Sequence, residues 1–458
     1  MAQPAVDRLE GFIFGNAPKP VCCGSDLVVG GGCVVPEINF TLPPIDIDDE
    51  TWVEVRRQYE EMIVSVLGRA VALEVPGLLV EFETLPPMTD RPAWGLEITR
   101  LLSDRMAEFH AKHGLKTALR LTPNDTREFE RPPRMRSGEH WDHMLEVIGR
   151  AAEHGADLIA VESTGGKEVC DEALVEADLA KIVFALGILG VRDMEFLWRH
   201  IVRECRSQGI VPSGDSACGF ANTAMVLADR KMIPTVLAAV VRVASVPRSL
   251  TAYRVGAVGP SKDCAYEGPY LKAIEGVPIS MEGRTAACAH LSPLGNISQA
   301  VCDCWSNESV QNVQMLSGRA PRMCLEQLVY DCRLLNTALS SSPNQAVQLR
   351  DWLSDSDAPL DPQAWVLRPD VVLRLSAEIA ASDSPYRQTT AAVGATLREL
   401  RAASTSGQLR LPARESPWLD RLEEEFSRLP EREEELIEKM LTDPSIRKRF
   451  APEEYGID

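Results

Sequence analysis

The sequence predicts an α/β fold: a TIM-type (β/α)8 barrel with an irregular N-terminal arm and a helical C-terminal extension. Three observations predict it. Short β-rich apolar runs alternate with amphipathic stretches through the middle of the chain, as in βαβ units that build a parallel sheet. Seven strand candidates fall within about 200 residues, close to the eight of a barrel. The 458 residues are 45% hydrophobic and 25% charged, the balance of a large folded domain and not of a disordered chain. An open doubly wound sheet is the alternative, because strand order is not visible in a sequence.

Residues 1–47 carry Gly30-Gly31-Gly32 and prolines 18, 20, 36, 43 and 44, and read as an arm laid on something larger. A helix begins near Thr51, where Trp52, Val55, Tyr59, Met62, Ile63 and Val66 recur at three- and four-residue steps, with Asp48 and Asp49 near its start. The strand candidates are Leu78–Phe82, Thr117–Leu121, Leu158–Val161, Val183–Leu186, Ile210–Ser213, Leu250–Val255 and Val277–Met281. Between them lie helix candidates Trp94–His110, His140–His154, Asp193–Ser207 and Ala221–Ala228. The eighth strand has no clear signal. From about residue 325 the pattern turns helical: Cys324–Leu339, Asn344–Leu353 and Pro369–Ala381, then a loop over 403–417. Pro430 splits the tail from Trp418 into two helices, whose runs Glu423-Glu424-Glu425 and Glu433-Glu434-Glu435 read as solvated faces. The expected division is arm 1–47, barrel 48–340 and helical extension 341–458.

The net charge is −19, which opposes general nucleic-acid binding and attachment to anionic lipid. No apolar run reaches the roughly 20 residues that cross a bilayer. The first residues lack a basic stretch followed by an apolar one, so a cytoplasmic protein is expected. Its 12 cysteines, all before residue 333, are expected to be buried thiols apart from any metal-bound subset.

Three strand ends stand out. Glu162 follows Leu158–Val161, Cys218 follows Ile210–Ser213 just before a helix, and Cys264 follows Gly256-Ala257-Val258-Gly259-Pro260-Ser261-Lys262-Asp263. In a parallel barrel the C-terminal ends of the strands converge on one mouth, so gaps of 56 and 46 residues are no obstacle. Two thiolates and a carboxylate form a candidate catalytic zinc set that leaves a fourth tetrahedral position open. Its single net negative charge makes the ion a weaker Lewis acid than one held by neutral imidazoles. Spacing alone leaves the bland alternative open, in which each cysteine is a small buried hydrophobe.

Longer motifs add to this. Val161-Glu162-Ser163-Thr164-Gly165-Gly166-Lys167-Glu168-Val169, Ala217-Cys218-Gly219-Phe220-Ala221-Asn222-Thr223-Ala224-Met225 and Gly256 through Cys264 resemble the methanol–corrinoid methyltransferase catalytic-subunit family. Pro36-Glu37-Ile38-Asn39, Pro247-Arg248-Ser249-Leu250 and Cys302-Asp303-Cys304-Trp305-Ser306-Asn307-Glu308 agree, and the resemblance runs from about Pro36 to Tyr455-Gly456. It implies a TIM barrel holding one zinc per chain on Glu162, Cys218 and Cys264, the residues expected to carry catalysis. It implies transfer of the methyl group of methanol to the cobalt of a corrinoid held by a separate partner protein, and a homodimer. This chain has no Asp-x-His-x-x-Gly motif with which to ligate cobalt itself. Two alternatives remain: another small alcohol or methoxylated donor, and a non-catalytic subunit that binds the corrinoid protein. Asp215, Lys262, Asp263, Tyr266 and Glu267 are candidates to protonate the leaving oxygen, or else support the site by hydrogen bonds.

Other signals are weaker. Gly165-Gly166-Lys167 is not a phosphate loop, since Val161 and Glu168 stand where Gly and Ser or Thr are required. Gly256 and Gly259 read as a strand-to-loop turn. His140 and His143 read as a surface pair, His290 as a packed histidine, and Cys302, Cys304, Cys324 and Cys332 as core thiols more readily than as a second zinc site. No function is assigned to Cys22-Cys23.

Overall fold

Two antiparallel strands, β1 (Asn16–Cys23) and β2 (Leu27–Gly31), precede a parallel set: β3 (Val35–Thr41), β4 (Gly77–Glu83), β5 (Lys116–Thr122), β6 (Leu158–Val161), β7 (Val211–Asp215), β8 (Ser280–Glu282) and β9 (Cys304–Val310). This computed structural model describes residues 3–42, 44–262, 264–282, 293–310, 314–315, 318–382 and 384–457; Asp263, Cys288 and His290 lie outside them. The parallel order is β7-β6-β5-β4-β3-β9-β8. The ring is closed by residues 258–261. Val258 and Gly259 donate to the carbonyls of Pro212 and Ser213 (2.9 and 2.8 Å). Ser261 donates to Pro278 and accepts from Ser280 (2.9 and 3.2 Å). This short segment, interrupted by Gly259 and Pro260, is the eighth stave, and proline's missing N–H explains why it forms no regular strand. Eight members in chain order make a (β/α)8 barrel and exclude the open sheet.

Four sequence expectations are corrected. The arm 1–47 is not irregular throughout, because Val35–Thr41 is a full stave between β4 and β9. Val183–Leu186 lies in a continuous helical stretch, Leu179–Phe184 followed by a π-helical turn at Ala185–Gly190. Leu250–Val255 lies in the helix Val246–Arg254 and its C-terminal end. Both segments are buried nearly all round, so their helical period left no polar face to read. Finally, Thr235–Arg254 is a 20-residue helical stretch apolar enough in composition to match a span, but its most apolar 18-residue window is 94% buried inside the protein, as in a core helix.

The barrel interior is layered, and its layers set where chemistry can occur. At the bottom, Val35, Leu79, Ala118, Leu158 and Cys304 form an apolar cluster with Cys23, Leu27 and Val29 of the β1–β2 hairpin. Ser25 donates to Thr117 O (2.8 Å), tying the hairpin to the start of β5. The arm therefore plugs the N-terminal end, and Cys23 of the vicinal pair belongs to the plug. One level up, alternate staves contribute Glu37, Arg120, Ser213 and Ser280, all buried. Arg120 grips both oxygens of Glu37 (2.7 and 3.2 Å) and also donates to Ser213 Oγ (2.7 Å) and Pro260 O (3.0 Å). Above this charged layer Glu81 and Lys262 are still buried, and exposure begins at Glu162 and Cys218.

From Ala320 onward the described elements are helical, as expected from about residue 325, and include Pro385–Thr405. The acidic tail is not only a solvated face. Glu433 pairs with Arg192 (2.8 Å), Gly166 N donates to Tyr455 Oη (3.0 Å), and Arg192 donates to Gly456 O (2.9 Å). The end of the chain thus straps the loop that follows Glu162.

Candidate active site

Each of the three singled-out residues sits where its stave stops. Glu162 is the residue after β6. Cys218 opens a π-helical turn, Cys218–Asn222, three residues beyond β7, and Cys264 follows the eighth stave. The carboxylate oxygen and the two sulfurs all lie within 4.8 Å of one another. The Cys264 thiol donates to Glu162 Oε1 at 3.2 Å. Asn222 donates to Cys218 Sγ (3.4 Å) and Cys264 O (2.8 Å), joining the two sulfur-bearing segments. Among the described residues this is the one group of three His, Cys, Asp or Glu side chains that converges in this way. His140 instead meets Asp90 (2.7 Å) and His143 lies 3.8 Å from Glu139. Cys304 donates to Glu37 (3.3 Å) and Cys302 to Gln299 O (3.6 Å), so the second zinc site does not form.

The electrostatics favour a cation. Burial opposes the charge of Glu162, but the Lys262 ammonium and hydrogen bonds from Lys262 and both thiols hold its carboxyl below the usual range. A hydrogen bond from Cys264 pulls the Cys218 thiol down, yet burial and the Glu162 and Glu282 charges outweigh it and push it up to about 12. Burial, then Cys218 and Glu162, raise Cys264 well above the ordinary thiol value. Ionising both thiols beside a carboxylate therefore needs a counter-charge, which a divalent ion supplies. Zinc bonds of about 2.3 Å to sulfur and 2.0 Å to oxygen put tetrahedral ligand atoms about 3.5–3.8 Å apart, within the 4.8 Å that bounds the three atoms. The donor types and their mutual spacing within 4.8 Å are compatible with a divalent ion such as zinc.

Lys262 is the candidate proton carrier that the fold brings to the site. Its Nζ lies 2.9 Å from Glu162 Oε1, 3.3 Å from Glu81 and 4.0 Å from Glu83. Burial works against its charge, but those three carboxylates hold its pKa well above that of an ordinary lysine. Asp215 and Glu267 bond to backbone beside the site, and Asp263 lies outside the described residues. Asp215 accepts from Trp198 Nε1 (3.0 Å) and Ser163 N (3.3 Å), and burial raises it to about 6. Glu267 accepts from Ala217 N (2.7 Å). Tyr266 is buried, with the Arg242 guanidinium 5.4 Å from its ring centre. Glu81 and Glu83 were missed. Their signal was the two-residue alternation within Leu78-Leu79-Val80-Glu81-Phe82-Glu83, which puts both carboxylates on the inner face.

Gly165-Gly166 serves packing and not phosphate binding. A Cβ at Gly165 would stand 2.3 Å from Asp193 Cβ, and Asp193 is locked by Arg127 through two bonds (2.8 and 3.1 Å). Gly165→Ala is expected to destabilise the protein by about 1–3 kcal/mol, because the loop that carries Glu162 must shift. Urea unfolding checks this; a wild-type midpoint would refute the packing account.

A closed (β/α)8 barrel, plugged below and carrying an oxygen–sulfur–sulfur cluster where its staves end, has the architecture of the barrel enzymes whose chemistry sits at the C-terminal mouth. The family model described as methanol-cobalamin methyltransferase B subunit matches residues 1–456, and the chain belongs to that family. A methanol–corrinoid protein co-methyltransferase of Methanosarcina barkeri (strain Fusaro / DSM 804) is 37% identical over 459 residues, covering 99% of this chain and 98% of the relative. The crystal structure of the methanol:cobalamin methyltransferase complex MtaBC from Methanosarcina barkeri superimposes with a TM-score of 0.94 at 34% identity, covering 100% of this chain and 99% of that one. The resemblance, the barrel fold and the assignment to the methyltransferase enzymes are borne out.

Proposed function

We propose that this chain transfers the methyl group of methanol to the cobalt of a corrinoid carried by a partner protein, using one zinc ion held by Glu162, Cys218 and Cys264. The observation that carries the reading is the convergence of those three side chains at the open end of a barrel whose other end is plugged. Zinc held there would supply a Lewis acid that draws electron density from the alcohol oxygen and eases C–O cleavage; the methyl group passes to cobalt(I), and the oxygen leaves as hydroxide that takes up one proton to become water. Glu162 and the two cysteines hold the ion. Lys262 fixes the Glu162 carboxylate at Oε1, and the carboxylates of Glu81 and Glu83 keep Lys262 in place. The hairpin plug leaves the mouth as the way in, so methanol and the corrinoid protein approach from one side. The chain acts as a homodimer in the cytoplasm in this reading.

The test is a corrinoid methylation assay with methanol, run on protein of measured zinc content and repeated after zinc removal and restoration. Methyl–cobalt absorbance should appear with methanol, vanish with the metal and return with it. Equal rates with and without zinc would reject the mechanism, and faster transfer from a methoxylated donor would reassign the substrate. Partner binding that survives zinc removal, with no methylation under any condition, would favour the non-catalytic reading.

Metal uptake should also be visible as acid. In the metal-free site Glu162 is ionised at neutral pH, whereas both thiols are protonated, given the directions of their shifts. Binding zinc to two thiolates releases two protons, so apparent affinity should rise about a hundred-fold per pH unit below the thiol pKa values. Calorimetry in buffers of different ionisation enthalpy measures the proton count; a value near zero would exclude the two-thiolate site.

A further inference from the structure

The three ligands come from three separate segments, and one helix touches all three from behind. In Val246–Arg254, Arg248 and Ser249 are consecutive and both fully buried. Arg248 Nη2 donates to Ser163 O (2.6 Å), to Ser163 Oγ and to Asp215 Oδ1 (3.2 Å). Its guanidinium carbon lies 4.8 Å from the centre of the Phe220 ring. Ser163 adjoins Glu162. Asp215 and Phe220 flank Cys218. Ser249 Oγ donates to Glu267 Oε1 (2.8 Å), and the same oxygen accepts from Ala217 N (2.7 Å). Ala217 adjoins Cys218, and Glu267 is three residues past Cys264. Two neighbouring side chains thus bond Ser163 beside Glu162 and, at Asp215 and Glu267, side chains three residues from Cys218 and Cys264, although neither reaches a ligand atom.

From this geometry we infer that Arg248 and Ser249 are positioning residues that hold the three ligand-bearing segments in register for one ion. The inference rests on the zinc reading above. Fixed hydrogen bonds behind ligands set their orientation, and removing such partners elsewhere costs about ten- to a hundred-fold in metal affinity. Arg248 is suited to the task because a planar guanidinium bonds the Glu162 and Cys218 segments while its face rests on Phe220 of the latter, and Ser249 reaches the Cys264 segment through Glu267. Lysine retains the charge but not the flat face.

The experiment uses the full-length protein as wild type, Arg248→Lys and Ser249→Ala. Zinc release to a chromophoric chelator is timed, and the cobalt(II)-loaded forms are compared by their visible and thiolate-to-metal absorption, which reports ligand geometry. Arg248→Lys should release zinc about ten- to a hundred-fold faster and change the cobalt spectrum, while the thermal midpoint stays within a few degrees. Ser249→Ala should release it several-fold faster. Should Arg248→Lys not fold, Ser249→Ala, which removes one hydroxyl, decides the question alone. Wild-type release rates and spectra in the variants, with wild-type protein that does hold metal, would overturn the positioning role and leave the zinc reading standing. Wild-type protein that takes up neither zinc nor cobalt would overturn the zinc reading, and this inference with it.

Discussion

Replacing Cys264 by serine is expected to cost the protein its zinc and roughly a thousand-fold in methyl transfer, with the fold retained. Serine has nearly the same volume, so the buried site loses little packing. Its hydroxyl does not ionise near neutral pH, and a neutral oxygen is a poor substitute for thiolate sulfur on a borderline-soft ion. With the ion gone, the leaving oxygen loses a Lewis acid that contributes several kcal/mol to the transition state, and about 4 kcal/mol corresponds to about a thousand-fold in rate. Cys218→Ser should behave alike, because Asn222, four residues on from Cys218, still donates to Cys264 O and ties the two segments together. Metal analysis, the corrinoid methylation assay and circular dichroism on one preparation give the three readouts. Full activity in either variant would remove these residues from the site.

The ligand set was legible before the fold was, and the reason is geometric. A barrel brings the ends of its staves together whatever their order of discovery, so finding β6 and the end of β7 was enough to aim Glu162 and Cys218 at each other. The staves that escaped notice are those whose inward residues are polar. β3 turns Glu37 and Asn39 inward, and β9 is Cys-Trp-Ser-Asn-Glu-Ser-Val, with little apolar period to detect. Residues 258–261 are marked by glycine and proline, which read as a turn. Conversely, Val183–Leu186 and Leu250–Val255 looked like strands because helices buried on every side carry no polar stripe. The hairpin plug was invisible because its partners, Leu79, Ala118 and Leu158, lie far along the chain. Arg248 stood within a recognised motif, but nothing in its neighbours indicated that it would meet Ser163, 85 positions away.

The polar interior that hid those staves also makes the barrel fragile in a defined way. Arg120 and Glu37 are 0% and 1% exposed at their side chains and face each other across the barrel through two bonds. Arg120→Met is expected to destabilise the protein by about 3–5 kcal/mol, because the carboxylate of Glu37 stays buried after its counter-charge has gone. Ser280 and the Cys304 thiol still donate to it, but neither supplies a charge. Most of that cost is desolvation of the survivor and not the worth of the pair. The double variant Arg120→Met, Glu37→Gln should therefore recover at least half of the loss, although it breaks one more native interaction. Its remaining deficit reflects the bonds from Arg120 to Ser213 and Pro260, which pin β7 to the eighth stave just below Glu162 and Cys264. Urea unfolding of the wild type, both single variants and the double variant closes the cycle. A double variant no more stable than Arg120→Met would mean that the two charges are not coupled, and that Arg120 acts through its bonds to the staves alone.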